Sequence, residues 1–181
     1  MTAMLPTPNP PGAAPRDAAQ WAEALGLLPH PEGGFYRETW RASETIPHGA
    51  LPSRFGGNRS AGTCIYFLLV QDFPSRLHRI ASDEIWHWYQ GSPLCVHVLH
   101  PDGSRQELLL GPDPSRGQSF QAMVPSGAWF GAETLGEWTL CGCTVAPGFD
   151  FADFELAARD SMLETFGPHR EVVERLTAEL P

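Results

Sequence analysis

Apolar positions change their rhythm three times along the chain. Met1 to Pro15 contains five prolines and no periodic apolar pattern, so it has too little to bury to offset the entropy of ordering it. Residues 1–16 are expected to form a disordered tail. At Asp17 the texture becomes helical: the carboxylate can cap free amides, Gln20 stands at the third helical position, and Trp21, Leu25 and Leu28 fall on one face. Pro29 closes this helix. From Gly33 to about Val145 the pattern is one of short alternating or apolar runs broken by Gly, Pro and Asp, which is how strands of a sandwich or barrel are written. The runs are Phe35–Arg41, Thr63–Leu69, His78–Ile80, Ile85–Gln90, Leu94–Leu99, Arg105–Leu110, Ser119–Val124, Trp129–Ala132 and Glu137–Val145. Asp102-Gly103 supplies a tight turn. After Pro147 helical spacing returns, with Val172, Val173, Leu176 and Leu180 on one stripe. The prediction is an all-β domain over residues 17–181, flanked by short helices at both ends.

Composition narrows the function classes. The 181 residues are 42% hydrophobic and 18% charged, as in an ordinary globular domain, and carry a net charge of −9. That field repels a phosphate backbone, and no basic patch is segregated along the sequence, so nucleic acid is not an expected partner. The longest charge-free apolar run, Cys64 to Val70, is far short of the roughly 18 residues a membrane helix needs. A membrane is not expected as a partner either. The first residues lack the basic and apolar regions of a secretory leader, and four cysteines at uneven spacing form neither a disulfide framework nor a zinc ribbon. Both features point to a reduced, cytoplasmic protein.

The chemistry-bearing residues concentrate in a few blocks. His78 is followed six residues later by Glu84 and then by Gly91; Pro125-Ser-Gly127-Ala-Trp-Phe130 makes a turn before an apolar strand. With His30-Pro-Glu-Gly-Gly-Phe-Tyr-Arg-Glu38, Thr63-Cys-Ile-Tyr-Phe-Leu-Leu69 and Val145-Ala-Pro-Gly-Phe149, these blocks make the chain resemble the Cupin_5 (DUF985) family over roughly His30 to Leu156. The resemblance implies a double-stranded β-helix, the cupin jelly-roll barrel. It further implies a homodimer, and a shape related to the dTDP-sugar 3,5-epimerases. Two departures from the cupin pattern bear on metal binding: Ile80 and Phe130 stand where two of the three usual histidines would be. With only His78 and Glu84 left of the ligand set, a divalent metal is not the favoured cofactor, since zinc and iron sites normally draw at least three protein ligands.

In the cupin arrangement His78, Glu84, Trp86, Trp88, Phe130 and Tyr66 would line the barrel as an aromatic cup with two polar groups, suited to a small sugar-like or carbonyl-bearing molecule. His78 is then the candidate base for proton abstraction beside a carbonyl, with Glu84 orienting it. The alternatives are a core histidine bonded to a backbone carbonyl with Glu84 holding a strand turn, a non-catalytic binding module using the same cup, or a metal-dependent oxygenase or isomerase in which His87 joins His78 and Glu84. His87 has the opposite strand parity to Glu84 and needs a β-bulge to reach the cavity. In the resembling family the first strand can add to the partner subunit's sheet, which would place Tyr36 or Glu38 near a pocket mouth; the alternative is a solvated edge strand. Arg37 and Arg41 could clamp an anion. Cys141 and Cys143 share a strand face and read as small core residues. His30, His48 and His169 look like loop residues, and His97 faces the barrel exterior.

Overall fold

A computed structural model describes residues 17–179. The expected tail and Leu180 lie outside the described residues. The first helix, α1 (Ala18–Leu25), starts where the Asp17 carboxylate accepts the Gln20 amide at 2.9 Å, and stops at Gly26, whose φ of 61° is left-handed. Trp21 and Leu25 lay it against Leu68 and Leu140.

Thirteen strands follow among the described residues. They are β1 (Leu28–Pro29), β2 (Phe35–Arg41), β3 (Thr45–Ile46), β4 (Arg59–Ser60), β5 (Thr63–Val70), β6 (Ser75–Arg79), β7 (Asp83–Gly91), β8 (Leu94–Leu99), β9 (Arg105–Leu110), β10 (Gln121–Val124), β11 (Trp129–Thr134), β12 (Trp138–Ala146) and β13 (Glu155–Leu156). Two antiparallel sheets face each other, one in the order β1-β2-β5-β12-β7-β10 and the other β13-β6-β11-β8-β9; β3 and β4 form a separate pair. This is the jelly-roll of the expected fold class. Each of the nine predicted runs overlaps a strand, with Ile80, Ser119, Phe120 and Glu137 falling just outside. The four short strands were not visible in the pattern because two residues cannot show an alternation.

Alternation fixes what each sheet presents to the other. Phe67 and Leu69 of β5, Trp86 of β7, Val96 and Val98 of β8, Phe130 of β11 and Cys141 of β12 meet in one buried core. On the outer face of the second sheet, Leu77 and Leu99 are covered by α2 (Arg159–Thr165) and α3 (Arg170–Leu176) through Met162, Phe166, Val172, Val173 and Leu176. The C-terminal stripe therefore buries against the barrel wall, as its spacing predicts. Among the described residues no helix is long and apolar enough to cross a membrane.

Candidate functional site

One end of the space between the sheets is open as a cavity of about 460 Å³, within the usual range for small-molecule sites. Its walls come from inward positions of five strands: Tyr36, Glu38 and Arg41 of β2, Thr63, Ile65 and Phe67 of β5, His78 of β6, Glu84 of β7, and Cys143 and Val145 of β12, with Ile80 just beyond β6. Phe149, Asp150 and Phe151 form the rim. His30 and Glu32 close the remaining side.

The polar centre of the cavity is built around Glu32, which the sequence reading missed. The His30–Gly34 turn carries it: the Gly33 amide donates to the His30 carbonyl and the His30 amide to the Gly34 carbonyl, both at 3.0 Å. Gly33 and Gly34 have φ of 117° and 67°, values L side chains rarely adopt. A β-carbon at Gly34 would lie 2.9 Å from the Leu68 carbonyl oxygen. The turn is hinged to β6, where the Arg76 amide donates to the Glu32 carbonyl at 2.8 Å and Arg76 Nη2 to the Pro31 carbonyl at 2.8 Å. Inside, Ser75 Oγ donates to Glu32 Oε1 at 2.7 Å. Glu32 Oε2 then sits 3.4 Å from both His30 Nδ1 and His78 Nε2.

The tautomers follow from the remaining bonds. His78 Nδ1 lies 2.7 Å from the Arg76 carbonyl; a carbonyl only accepts, so Nδ1 carries the hydrogen and Nε2 holds a lone pair. His30 Nδ1 accepts the Glu32 amide at 3.3 Å, so its lone pair is also on the side facing Glu32. Lone pairs of both imidazoles thus converge on Glu32 Oε2, which can accept a hydrogen bond from either ring once that ring is protonated. Burial raises the Glu32 pKa against the opposing pull of His30, the Ser75 hydrogen bond and Arg76. Burial lowers that of His30, partly offset by Glu32. Burial likewise holds His78 down to about 4, with the Arg76 carbonyl opposing. Glu84 is pushed up to about 8 by burial, against a hydrogen bond from the Cys143 thiol, with the Glu32 carboxylate adding to the rise. At neutral pH the cavity thus holds an uncharged imidazole with an exposed lone pair and a carboxylic acid that still carries its proton.

His78 and Glu84 share the cavity, as expected, but the acid facing the imidazole is Glu32; Glu84 instead bonds Cys143. The aromatic cup is corrected. Trp86 and Phe130 are each 1% exposed and belong to the core beneath the cavity: Trp86 packs on Phe67, and Phe130 supports the His78 ring at 4.1 Å between centroids. Trp88 points inward further along the barrel, where its Nε1 donates to the Ser92 carbonyl at 3.0 Å. Tyr66 faces the outer side of its sheet, against Tyr89, since Ile65 and Phe67 take the inward positions. His87 also faces outward, 2.9 Å from Thr144 Oγ1. The register shift in the β7–β12 pairing falls between Leu140 and Cys141, opposite the chain beyond Trp88, and so leaves His87 on its original side. A metal set of His78, Glu84 and His87 is therefore not assembled, and buried Ile80 and Phe130 occupy the other two usual ligand positions. The residues present do not fit the cupin metal set.

Tyr36 and Glu38 line the mouth. A bulge between Glu38 and Trp40 turns Arg41, in place of Trp40, to the cavity side. Arg41 is spent there on Glu38, donating to its two oxygens at 3.0 and 2.7 Å, and on the Phe149 carbonyl at 3.1 Å. Arg37 lies over the outward Tyr66 ring. The expected pair of anion-clamping arginines is not formed. Above the mouth, Phe149, Phe151 and Phe154 pack on one another and on His30 and His78. This strap is anchored by the buried Arg59–Asp153 ion pair.

Residues 19–157 match a family model described as Cupin superfamily (DUF985). The chain belongs to the Cupin_5 family. It is 28% identical to a Saccharomyces cerevisiae relative, Uncharacterized protein YML079W, over 177 residues, covering 92% of this chain and 86% of that one. A solved structure of a hypothetical protein from Leishmania major is 34% identical, superposes with a TM-score of 0.82, and is covered in full by 91% of this chain. Oxalate decarboxylase from Bacillus subtilis shares the fold alone, at 15% identity and a TM-score of 0.51, with 84% of this Cupin_5 chain covering 37% of that chain.

Proposed function

We propose that this cupin binds an uncharged, sugar-like molecule bearing a carbonyl and moves a proton at the adjacent carbon. The observation that carries this reading is the fixed His78 tautomer: Nδ1 is committed to the Arg76 carbonyl, leaving the Nε2 lone pair in the cavity. His78 takes the proton from carbon, Glu84 gives its own proton to the carbonyl oxygen, and the resulting enediol collapses when a proton returns to carbon. Glu32, beside Nε2, stabilises the imidazolium formed on the way. Two groups whose environments push their proton affinities apart, with the base free and the acid loaded, are what such a step requires. An uncharged substrate is favoured because Glu32, Glu38, Glu84 and Asp150 surround the cavity while its Arg41 is occupied.

The test is incubation of the protein with aldoses, ketoses and their deoxy and keto derivatives in D₂O, followed by NMR. Deuterium should enter the carbon next to the carbonyl of one of them. Saturable binding of such a compound with no deuterium uptake over long incubation would overturn the proton-transfer reading in favour of a binding module.

We further propose a homodimer formed through the outer face of the first sheet. Outward positions of the first sheet expose Trp40 (51%), Ile85 (39%), Tyr89 (46%) and Met123 (51%), and Ile85 is the direct cross-strand partner of Met123. A solvated sheet face is normally polar, so a second copy of the chain is the proposed cover. Light scattering should give twice the chain mass, and Met123→Asp should give the monomer mass with an unchanged circular dichroism spectrum. A monomeric wild-type protein at micromolar concentration would refute the dimer.

A further inference from the structure

Away from the barrel cavity, a second group of metal-ligating side chains meets on the outer face of the β11-β8-β9 part of the second sheet. Cys95 and His97 are two residues apart on β8 and point the same way, and His97 pairs directly across to Glu107 of β9. Cys95 Sγ lies 3.9 Å from His97 Nδ1, and that nitrogen lies 3.7 Å from Glu107 Oε1. All three ligand atoms fall within 4.8 Å of one another. Bonds of about 2.3 Å to sulfur and about 2.0 Å to nitrogen in a tetrahedral zinc site space those two atoms about 3.5 Å apart, so the Cys95–His97 pair stands within a few tenths of an ångström of ligand spacing.

The surroundings are those of a ligand set. His97 Nε2 is 2.8 Å from Glu133 Oε1, and Glu133 is held in turn by Arg175 at 2.8 and 3.0 Å. Glu133, paired with Arg175, is the acceptor of the Nε2 hydrogen, which leaves the lone pair on Nδ1. This carboxylate–imidazole relay is the usual way a metal-binding histidine is oriented. Cys95 and His97 are buried, at 6% and 3% exposure, and the recess they line opens to solvent beside Glu107 and Leu135. One cation already sits at the convergence point: Arg105 Nη2 donates to His97 Nδ1 at 3.2 Å and to Glu107, while its buried Nε has no partner among the described residues.

We propose that Cys95, His97 and Glu107 form a binding site for a zinc-class divalent cation, with Arg105 as the group the ion displaces and water as the fourth ligand. A thiolate, an imidazole and a carboxylate together suit Zn²⁺ or Co²⁺ far better than Mg²⁺ or Ca²⁺. Binding exchanges the thiol proton for the metal, so one proton leaves Cys95 per ion bound.

The test is titration of the reduced, chelator-treated full chain with Co²⁺, read by the thiolate-to-cobalt charge-transfer absorption, followed by displacement with Zn²⁺. One ion per chain is expected. Glu107→Gln, at a half-exposed position that does not threaten folding, should weaken binding by roughly 10-fold or more, and Glu133→Gln by roughly 10-fold. Cys95→Ser should abolish the absorption band, and Arg105→Met should lower the dissociation constant. His78→Gln and Cys64→Ser should leave the titration unchanged, which separates this site from the cavity and from a stray thiol. The proposal fails if neither wild type nor Arg105→Met takes up an ion with the thiolate band. It fails equally if Glu107→Gln and Cys95→Ser titrate like wild type.

Discussion

Replacing His78 by alanine is expected to lower deuterium uptake into the carbonyl substrate by roughly 10²–10⁴-fold, the usual range for loss of a positioned base. The loss should appear in turnover more than in substrate binding, because His78 is 2% exposed and contributes little of the cavity wall. Alanine at a site packed 4.1 Å from the Phe130 ring also leaves a void, which costs stability of about 2–4 kcal/mol. His78→Gln keeps most of the volume, cannot take a proton from carbon, and should be as inactive as alanine while melting closer to wild type. Glu32→Gln supplies the complementary result. Its amide retains the Ser75 contact but cannot stabilise an imidazolium, so turnover should fall while His78 is still in place. Near-wild-type exchange in His78→Gln would remove His78 as the base, whatever the Glu32 variant does.

What was legible in the sequence followed from local periodicity. Alternation groups Thr63, Ile65 and Phe67 on one face of β5 and His78 with Ile80 on one face at β6. Which face is inward came from the cupin resemblance, and for β5 the expectation chose the wrong one, Tyr66. The same rule puts His87 on the outside, where it is found. Parity carries no information about depth, however. Trp86 and Glu84 share a face of β7, yet one is core and the other lines the cavity, because the barrel is filled at one end and open at the other. Glu32 was hidden for a different reason. It sits in a turn with no periodicity, and its partners His78 and Ser75 are more than forty residues away in sequence. The Glu-Gly-Gly run was the available signal: two glycines in left-handed conformation after a buried acid mark a turn shaped to deliver that acid. The bulge that exchanges Trp40 for Arg41 leaves no trace in composition at all.

Glu84→Gln should remove the Glu84 part of the alkaline loss of stability and the alkaline limb of the rate. In the folded chain Glu84 titrates near 8 and in the unfolded chain near the ordinary value of 4.5. Between those values the folded state holds a proton that the unfolded state has released. Stability contributed by this group is therefore complete below about 4.5 and is lost as pH rises to about 8. His78 works in the opposite sense, its folded value near 4 lying below the ordinary 6.5, so its contribution is lost as pH falls through that window. The two oppose each other between 4.5 and 6.5, and the Glu84 effect stands clear only from 6.5 to 8. Over that interval wild-type stability should drop by roughly 2 kcal/mol relative to the glutamine variant, at about 1.4 kcal/mol per pH unit. Glu32, raised in the same direction, is present in both proteins and largely cancels from the difference. In kinetics, wild-type exchange should decline above about pH 8 as the acid ionises, and the glutamine variant should show a lower rate with no alkaline limb. Urea unfolding at half-unit pH steps measures the first and initial exchange rates the second. Parallel stability curves from pH 6.5 to 8 would mean that Glu84 is already ionised in the folded protein, and the acid would then have to be sought elsewhere in the cavity.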